Sequence, residues 1–193
     1  LQTEFGLEDG LASTLTWREM AARYEGLEIP EDTHQGSPFV VILDPAAGTG
    51  TFPVEAIEVI FRTLMGKWQK QGLSRKEQAE AWNEYVPEHL LPRIYGYELK
   101  MAPYAIAHMR IGLKLKETEF TAWDRLGDED RVRVYLTNAL EPAVADGAQS
   151  VFAEWAPALA HEAQAVNQVK GRQRFTVVVG NPPYAGHSVN NEI

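Results

Sequence analysis

Phe39-Val40-Val41-Ile42-Leu43-Asp44-Pro45-Ala46-Ala47-Gly48-Thr49-Gly50-Thr51-Phe52-Pro53 is the stretch that decides the fold. Its first five residues are an unbroken apolar run, the pattern of a strand buried on both faces of a parallel sheet. The turn that follows carries Gly48 and Gly50, which accept positive φ and let a ligand approach the backbone. From about Pro53 a helix is predicted, with Ile57, Ile60, Phe61, Leu64, Met65 and Trp68 recurring on one face. Proline suits a first helical turn, where its missing donor is not needed. Strand, glycine turn and helix together make the first half of a βαβ unit.

Beyond it the alternation continues. Ser74-Arg75-Lys76-Glu77 has capping-box spacing and predicts a second helix to about Val86. Arg93-Ile94-Tyr95-Gly96-Tyr97 predicts a second strand that ends at Glu98. Met101 to Lys116 is predicted helical, with Ala102, Ala105, Ile106, Met109 and Leu113 on one face and Pro103 early. Arg131 to Leu136 alternates as a third strand and stops at Thr137-Asn138. A helical segment from about Ser150 to Lys170, broken near Pro157, precedes a fourth strand from Phe175 to Val179. Before all of this, residues 1–38 form an acidic segment with a short helix from Trp17 to Tyr24, which sets Trp17, Met20, Ala21 and Tyr24 on one face. A loop follows from Glu31 to Pro38. Two parts are therefore expected, 1–38 and 39–193, the second an α/β, doubly wound, Rossmann-like sheet. Ligands of such sheets sit at the carboxyl ends of the strands. There the sequence puts Asp44 to Gly50, Glu98, Asn138, and Asn181 to Tyr184.

Composition narrows the function classes. A chain of 193 residues, 45% of them hydrophobic, can bury one real core. No apolar run approaches the roughly 20 residues of a membrane span, and no signal-peptide pattern opens the chain. Without cysteine there are no disulfides or thiolate metal sites, and a reducing, cytoplasmic setting fits. Of the net charge of -9, residues 1–40 hold -6 (eight carboxylates against two arginines), leaving -3 elsewhere. That is not the basic footprint of an independent nucleic-acid binder, so a DNA partner needs phosphate contacts from other domains.

The strand ends carry the chemistry. A glycine pair also makes a plain strand-to-helix connection, but here it follows an aspartate. No Gly-Lys-Ser/Thr follows to make a phosphate loop. Phe52 and Pro53 stand where a dinucleotide fingerprint needs its third small residue, and Asp44 suits a ligand with positive charge. Glu98 can accept both hydroxyls of a ribose, or be a solvated glutamate; its 54-residue distance from Asp44 makes the Ser74–Val86 helix an insertion. Asn138 can bond an adenine edge or simply form a turn. Asn181-Pro182-Pro183-Tyr184 is the sharpest signal. Two prolines fix successive φ angles and remove two donors, giving a stiff turn between an amide and an aromatic ring. The Asn181 oxygen and the Pro182 carbonyl offer two acceptors to the two protons of an exocyclic amine, and Tyr184 offers a stacking face. Histidines 34, 89, 108, 161 and 187 show no metal-ligand spacing; His108 is expected to be structural, and His187 lies near the Tyr184 loop. No serine has a nucleophile-elbow context.

With these residues in view, the chain resembles an adenine-N6 DNA methyltransferase that uses S-adenosylmethionine. DPAAGTGTF at 44–52 resembles that family's cofactor motif, Glu98 its ribose-binding acid, and NPPY at 181–184 its catalytic motif, in the gamma order. More narrowly, YGYELKMAPYAIAHM at 95–109, YLTNALE at 135–141 and VVVGNPPYAGHSVNN at 177–191 resemble the methyltransferase region of type ISP restriction-modification enzymes, over residues 39–193. The resemblance implies a methyl transfer to N6 of a flipped adenine. It implies cofactor binding by Asp44, Pro45, Ala46, Gly48, Gly50, Phe52, Glu98, Leu99 and Asn138, and catalysis by Asn181, Pro182, Pro183 and Tyr184, with no metal. Double-stranded DNA would be held mostly by other domains, and whether nuclease or translocase domains share the polypeptide stays open. The family's Tyr-Thr-Pro cofactor segment, the strands after the catalytic motif and the target-recognition domain do not appear. The sheet is therefore expected to be incomplete and the piece inactive by itself. Asn138 stands where many relatives carry aspartate. Other planar amines remain open as substrates: cytosine N4, RNA adenine, or a glutamine side chain in a protein. So does a cofactor-binding module without catalysis.

Overall fold

A computed structural model describes residues 1–127, 130–140 and 157–182, except the side chains of 157–164. Four parallel strands form its sheet: β1 (Ile42–Asp44), β2 (Ile94–Glu98), β3 (Arg133–Leu136) and β4 (Val177–Val178), in the order β3-β2-β1-β4. Ile42 pairs with Ile94 on one side and Val177 on the other, while Gly96 pairs with Val134. All four strands fall within or beside the predicted segments, but each is shorter at its start. β1 begins at Ile42 rather than Phe39 because groups before it are partly taken outside the ladder: the Phe39 N–H donates to the Leu15 carbonyl at 2.8 Å, although the Val41 carbonyl still accepts from the Val177 N–H at 3.0 Å. The Val41 N–H donates to Thr176 Oγ1 at 3.1 Å, and the Thr176 hydroxyl donates to the Phe39 carbonyl at 2.5 Å. Phe39, Val40 and Val41 are buried all the same.

The helices are α1 (Gln2–Phe5), α2 (Trp17–Arg23), α3 (Thr51–Lys70), α4 (Arg75–Tyr85), α5 (Met101–Glu117) and α6 (Pro157–Arg172). Helix α3 starts two residues before Pro53, because Gly50 turns left-handed (φ 78°) and its carbonyl already accepts the Val54 N–H at 3.0 Å. Pro53 still sits in the first turn, where no donor is lost. Helix α4 has the predicted capping box: Ser74 Oγ accepts from the Glu77 N–H, and Glu77 accepts from the Ser74 N–H. Thr16 and Glu19 form a second such box at the start of α2, where Trp17 and Met20 are buried. Pro157 is the first residue of α6, and the predicted helical segment before it, 150–156, lies outside the described residues.

Helix α5 overturns one expectation. Its predicted apolar face is the exposed one: Ala102 and Ala105 are exposed, as are Ile106, Met109 and Leu113. Ala107, Ile111 and Leu115 are buried instead. The reason is the contact with the glycine turn, since a Cβ on Gly50 would lie 3.1 Å from both Cα and Cβ of Ala107. A helix that must come so close presents its small residue inward and rotates its larger stripe outward.

The two sheet faces are covered separately, as alternation along the strands requires. Ile42, Ile94 and Val134 face α3 and α5, in a core that also holds Trp82 and Tyr85 of α4. Val41, Tyr95, Tyr97 and Tyr135 face the other way, against Val166 of α6. This is a doubly wound, three-layer arrangement. Leu7, Ala12, Trp17 and Met20 from the acidic segment belong to the first core, so 1–38 packs on the sheet's helical layer. Full burial of a side chain the size of Leu7 or Met20 contributes about 1.5–3 kcal/mol. Arg93, 2% exposed, joins this segment to the start of β2. Its guanidinium donates to the carbonyls of Ser13 and His89 and to the Tyr85 hydroxyl, which donates on to the Ala12 carbonyl at 2.9 Å.

Candidate functional site

From β1 the strand order runs outward through β2 to β3; the chain then returns to the far side of β1 for β4. The reversal falls between β1 and β4, and in open α/β sheets the crevice outside such a switch point is where ligands bind. Asp44 ends β1, and Gly180-Asn181-Pro182 leave β4 directly beside it. Val179 N–H donates to the Leu43 carbonyl at 2.9 Å, which carries the pairing up to the edge of the crevice. A Cβ on Gly180 would lie 2.9 Å from Asp44 Oδ1 and 3.1 Å from Pro45 Cδ, so only glycine lets the two strand ends meet.

The glycine turn is built by a chain of short bonds. Asp44 Oδ1 accepts from the Ala46 N–H at 3.1 Å. The Ala47 N–H donates to the Tyr97 carbonyl and the Gly50 N–H to the Ala47 carbonyl, both at 2.8 Å. Gly48 and Gly50 both have positive φ, 54° and 78°. The Gly48 N–H donates to Glu98 Oε2 at 2.8 Å, and the Lys100 N–H donates to Glu98 Oε1 at 2.8 Å. Glu98 is therefore fixed at both oxygens, yet a carboxylate has about four acceptor sites, so it can still take hydroxyls from a ligand.

Asp44 is 1% exposed, and its Oδ2 is buried with no hydrogen-bond partner among the described residues. Burial pushes its carboxyl above the ordinary range, the Ala46 N–H draws it back in part, and the Glu98 charge raises it further. A buried carboxylate oxygen without a donor is costly unless something supplies one. A ligand ammonium group would do so.

The other predicted residues divide into those the fold gathers and those it leaves outside. Pro45, Ala46 and Phe52 are half-buried around the turn, and Leu99 is 61% exposed beside Glu98. Asn138 stands two residues after β3, and the Thr137 N–H next to it donates to the Glu98 carbonyl at 2.8 Å. The Asn138 side-chain oxygen accepts from the Leu140 N–H at 3.1 Å, an ordinary turn contact, while its own carbonyl accepts from Lys170 Nζ at 2.6 Å. Asn181 and Pro182 are exposed at the crevice. Pro183, Tyr184 and His187 lie outside the described residues. His108 is structural, its Nε2 lying 3.1 Å from the Val134 carbonyl and its ring against Tyr104.

Two neighbours of the site were not anticipated from sequence. Tyr97 follows Gly96 in β2 and points to the α6 face; its buried hydroxyl has no partner among the described residues, and burial pushes it up to about 12. Lys170 Nζ lies 5.6 Å from the centre of its ring and ties α6 to the end of β3. Period-two alternation was enough to find Tyr97, but nothing in sequence pairs Lys170 with a residue 32 positions away. Arg110 is the second, bound to Thr49 and Thr51 of the turn.

No protein-family model matches the chain, and no curated protein matches it significantly. Among solved structures, one described as a cryoEM structure of a DrdV–DNA complex is similar at 21% identity and a TM-score of 0.44, over 92% of this chain and 14% of that one. Another, a nuclease-deletion mutant of the Type ISP restriction-modification enzyme LlaGI in complex with a DNA substrate mimic, is similar at 18% identity and a TM-score of 0.44. That likeness covers 93% of this chain and 12% of the other. The chain thus spans a small part of either protein.

Proposed function

We propose that the crevice between β1 and β4 is the catalytic centre of an S-adenosylmethionine-dependent methyltransferase acting on the exocyclic amine of adenine in DNA, as part of a restriction-modification enzyme. The observation that carries the reading is the meeting of Asp44 and Gly180-Asn181 across the switch point. It brings a glycine turn with an acid at each side, and an Asn-Pro turn, to one crevice.

The residues present fit the cofactor. Glu98 keeps acceptor sites for the two ribose hydroxyls, and exposed Leu99 offers an apolar edge beside it. Asp44 Oδ2 awaits a donor, which the cofactor's ammonium would be. Gly48, left-handed at φ 54°, carries no side chain between its backbone and a ligand. When bound, the cofactor supplies an electrophilic methyl group on its sulfonium.

The chain's own residues then act on the amine. The adenine nitrogen is a poor nucleophile because its lone pair is delocalised into the ring. Asn181 Oδ1 and the Pro182 carbonyl would accept its two N–H bonds, favouring a pyramidal nitrogen and stabilising the positive charge that develops on it. Two successive prolines restrict the backbone that carries these acceptors, so positioning would make the second contribution. Tyr184 would stack on the flipped base and offset part of its unstacking, a contact of about 1–3 kcal/mol in single-strand binders. Exposure of Asn181 and Pro182 leaves both acceptors available to a substrate.

The test is transfer of a tritium-labelled methyl group to duplex DNA, RNA and protein, with the chain in its full-length polypeptide. Label in N6-methyladenine of DNA supports the proposal. Label confined to RNA, protein or cytosine assigns the site to another planar amine, and no label in any arm, with cofactor bound, makes it a binding module.

A further inference from the structure

We infer that Arg110 is a positioning residue that pre-forms the glycine turn for its ligand, an inference that rests on reading this turn as the methyl donor's pocket. Thr49 stands between two left-handed glycines, Gly48 and Gly50, the least restrained backbone context available. Its carbonyl precedes α3, and the residue four positions on is Pro53, which has no N–H to offer. A backbone acceptor in that position needs a donor from elsewhere.

Arg110 supplies it from α5. Its Nη1 lies 3.1 Å from the Thr49 carbonyl, 2.9 Å from Thr49 Oγ1 and 3.2 Å from Thr51 Oγ1. One nitrogen with two hydrogens serves three oxygens, so at least one of these bonds is shared. The geometry follows from helix periodicity. Ala107, which touches Gly50, is three residues before Arg110, so both lie on the same side of α5. Ala107 lets the helix come close, and Arg110 grips the turn one step further along. On the opposite flank Glu98 holds the Gly48 N–H. The turn is thus held from two elements, β2 and α5, before any ligand arrives, and preorganisation of this kind strengthens binding by lowering what must be ordered.

Binding of S-adenosylhomocysteine to the full chain, measured by titration calorimetry, tests this together with the melting temperature of each ligand-free protein. Arg110→Met should bind roughly tenfold more weakly, with its ligand-free melting temperature within a few degrees of wild type. Arg110→Lys, which keeps one donor, should recover part of the loss. Faster amide exchange at Gly48 to Thr51 in ligand-free Arg110→Met is expected as well. Thr49→Val, which removes one of the three acceptors without touching Arg110, should weaken binding by a smaller factor and serves if Arg110→Met does not fold. Wild type that binds while both Arg110→Met and Thr49→Val match it overturns the role of Arg110 alone. Wild type that does not bind overturns the pocket itself, and the inference with it.

Discussion

Gly180 is packed so closely on Asp44 that a single added carbon would sit 2.9 Å from the aspartate's Oδ1. The contact locks the end of β4 to the end of β1 across the switch point. Asn181 and Pro182 follow directly after it, so the proposed site rests on this contact.

Gly180→Ala should therefore damage both stability and chemistry. Relieving the clash requires Pro45, Asp44 or the β4 backbone to move, and overpacking of this kind costs about 1–3 kcal/mol. The expected result is a lower melting temperature and a large loss of methyl transfer. A variant that melted and turned over like wild type would show that the strand ends need no such close contact.

Asp44 should make stability and cofactor binding depend on pH in opposite senses. Its carboxyl is raised by burial and by the nearby Glu98 charge, so the folded protein holds that proton more tightly than the unfolded chain. The contribution to stability is then present at acid pH and declines as pH rises from the ordinary aspartate range through the raised folded value. Asp44→Asn should raise the melting temperature at neutral pH and lose that advantage in acid. Affinity for a cationic cofactor should do the reverse in wild type, falling as pH drops through the raised value. It should be weak at every pH in Asp44→Asn. Calorimetry across pH measures both slopes.

Glu98 and Asn181 should separate binding from turnover. Glu98→Ala removes the proposed ribose acceptor and the partner of the Gly48 N–H, so the dissociation constant of the proposed cofactor should rise roughly tenfold or more. Asn181→Ala should leave that constant nearly unchanged while transfer falls by about 100-fold or more. Unchanged turnover in Asn181→Ala would falsify its role.

Arg93 supplies a control distant from the chemistry. It sits before β2, at the amino ends of the strands, and its loss leaves the Ser13 and His89 carbonyls without their donor. Arg93→Met should cost about 3 kcal/mol. In a chain of this size that lowers the melting temperature by roughly 6–12 °C. Cofactor affinity measured well below the transition should not change. A drop in affinity without loss of stability would contradict this placement.

Much of the architecture was legible because it is local. Four apolar segments, the Ser74–Glu77 capping box and the Gly48–Gly50 turn each depend on a few neighbouring residues, and each stands close to where the sequence puts it. The inward face of α5 was not legible. Ala102, Ala105, Ile106, Met109 and Leu113 make the more apolar stripe, yet Ala107, Ile111 and Leu115 are the buried ones. Apolar content favours one rotation of the helix, but the need to approach Gly50 within van der Waals distance fixes the other.

By itself, then, the sequence determined which segments are strands and helices and which polar residues end them, since hydrophobic period, caps and glycine turns are properties of short stretches. Tertiary structure alone decided that β4 pairs with β1 and not with β3. That choice brings Asn181 to Asp44 across 137 residues, where Asp44 Oδ2 is buried without a donor among the described residues, while the rotation of α5 against Gly50 sets Arg110 on the Thr49 carbonyl. Such relations depend on how strands order themselves and how helices rotate against them, and those are settled by packing between segments far apart in the chain.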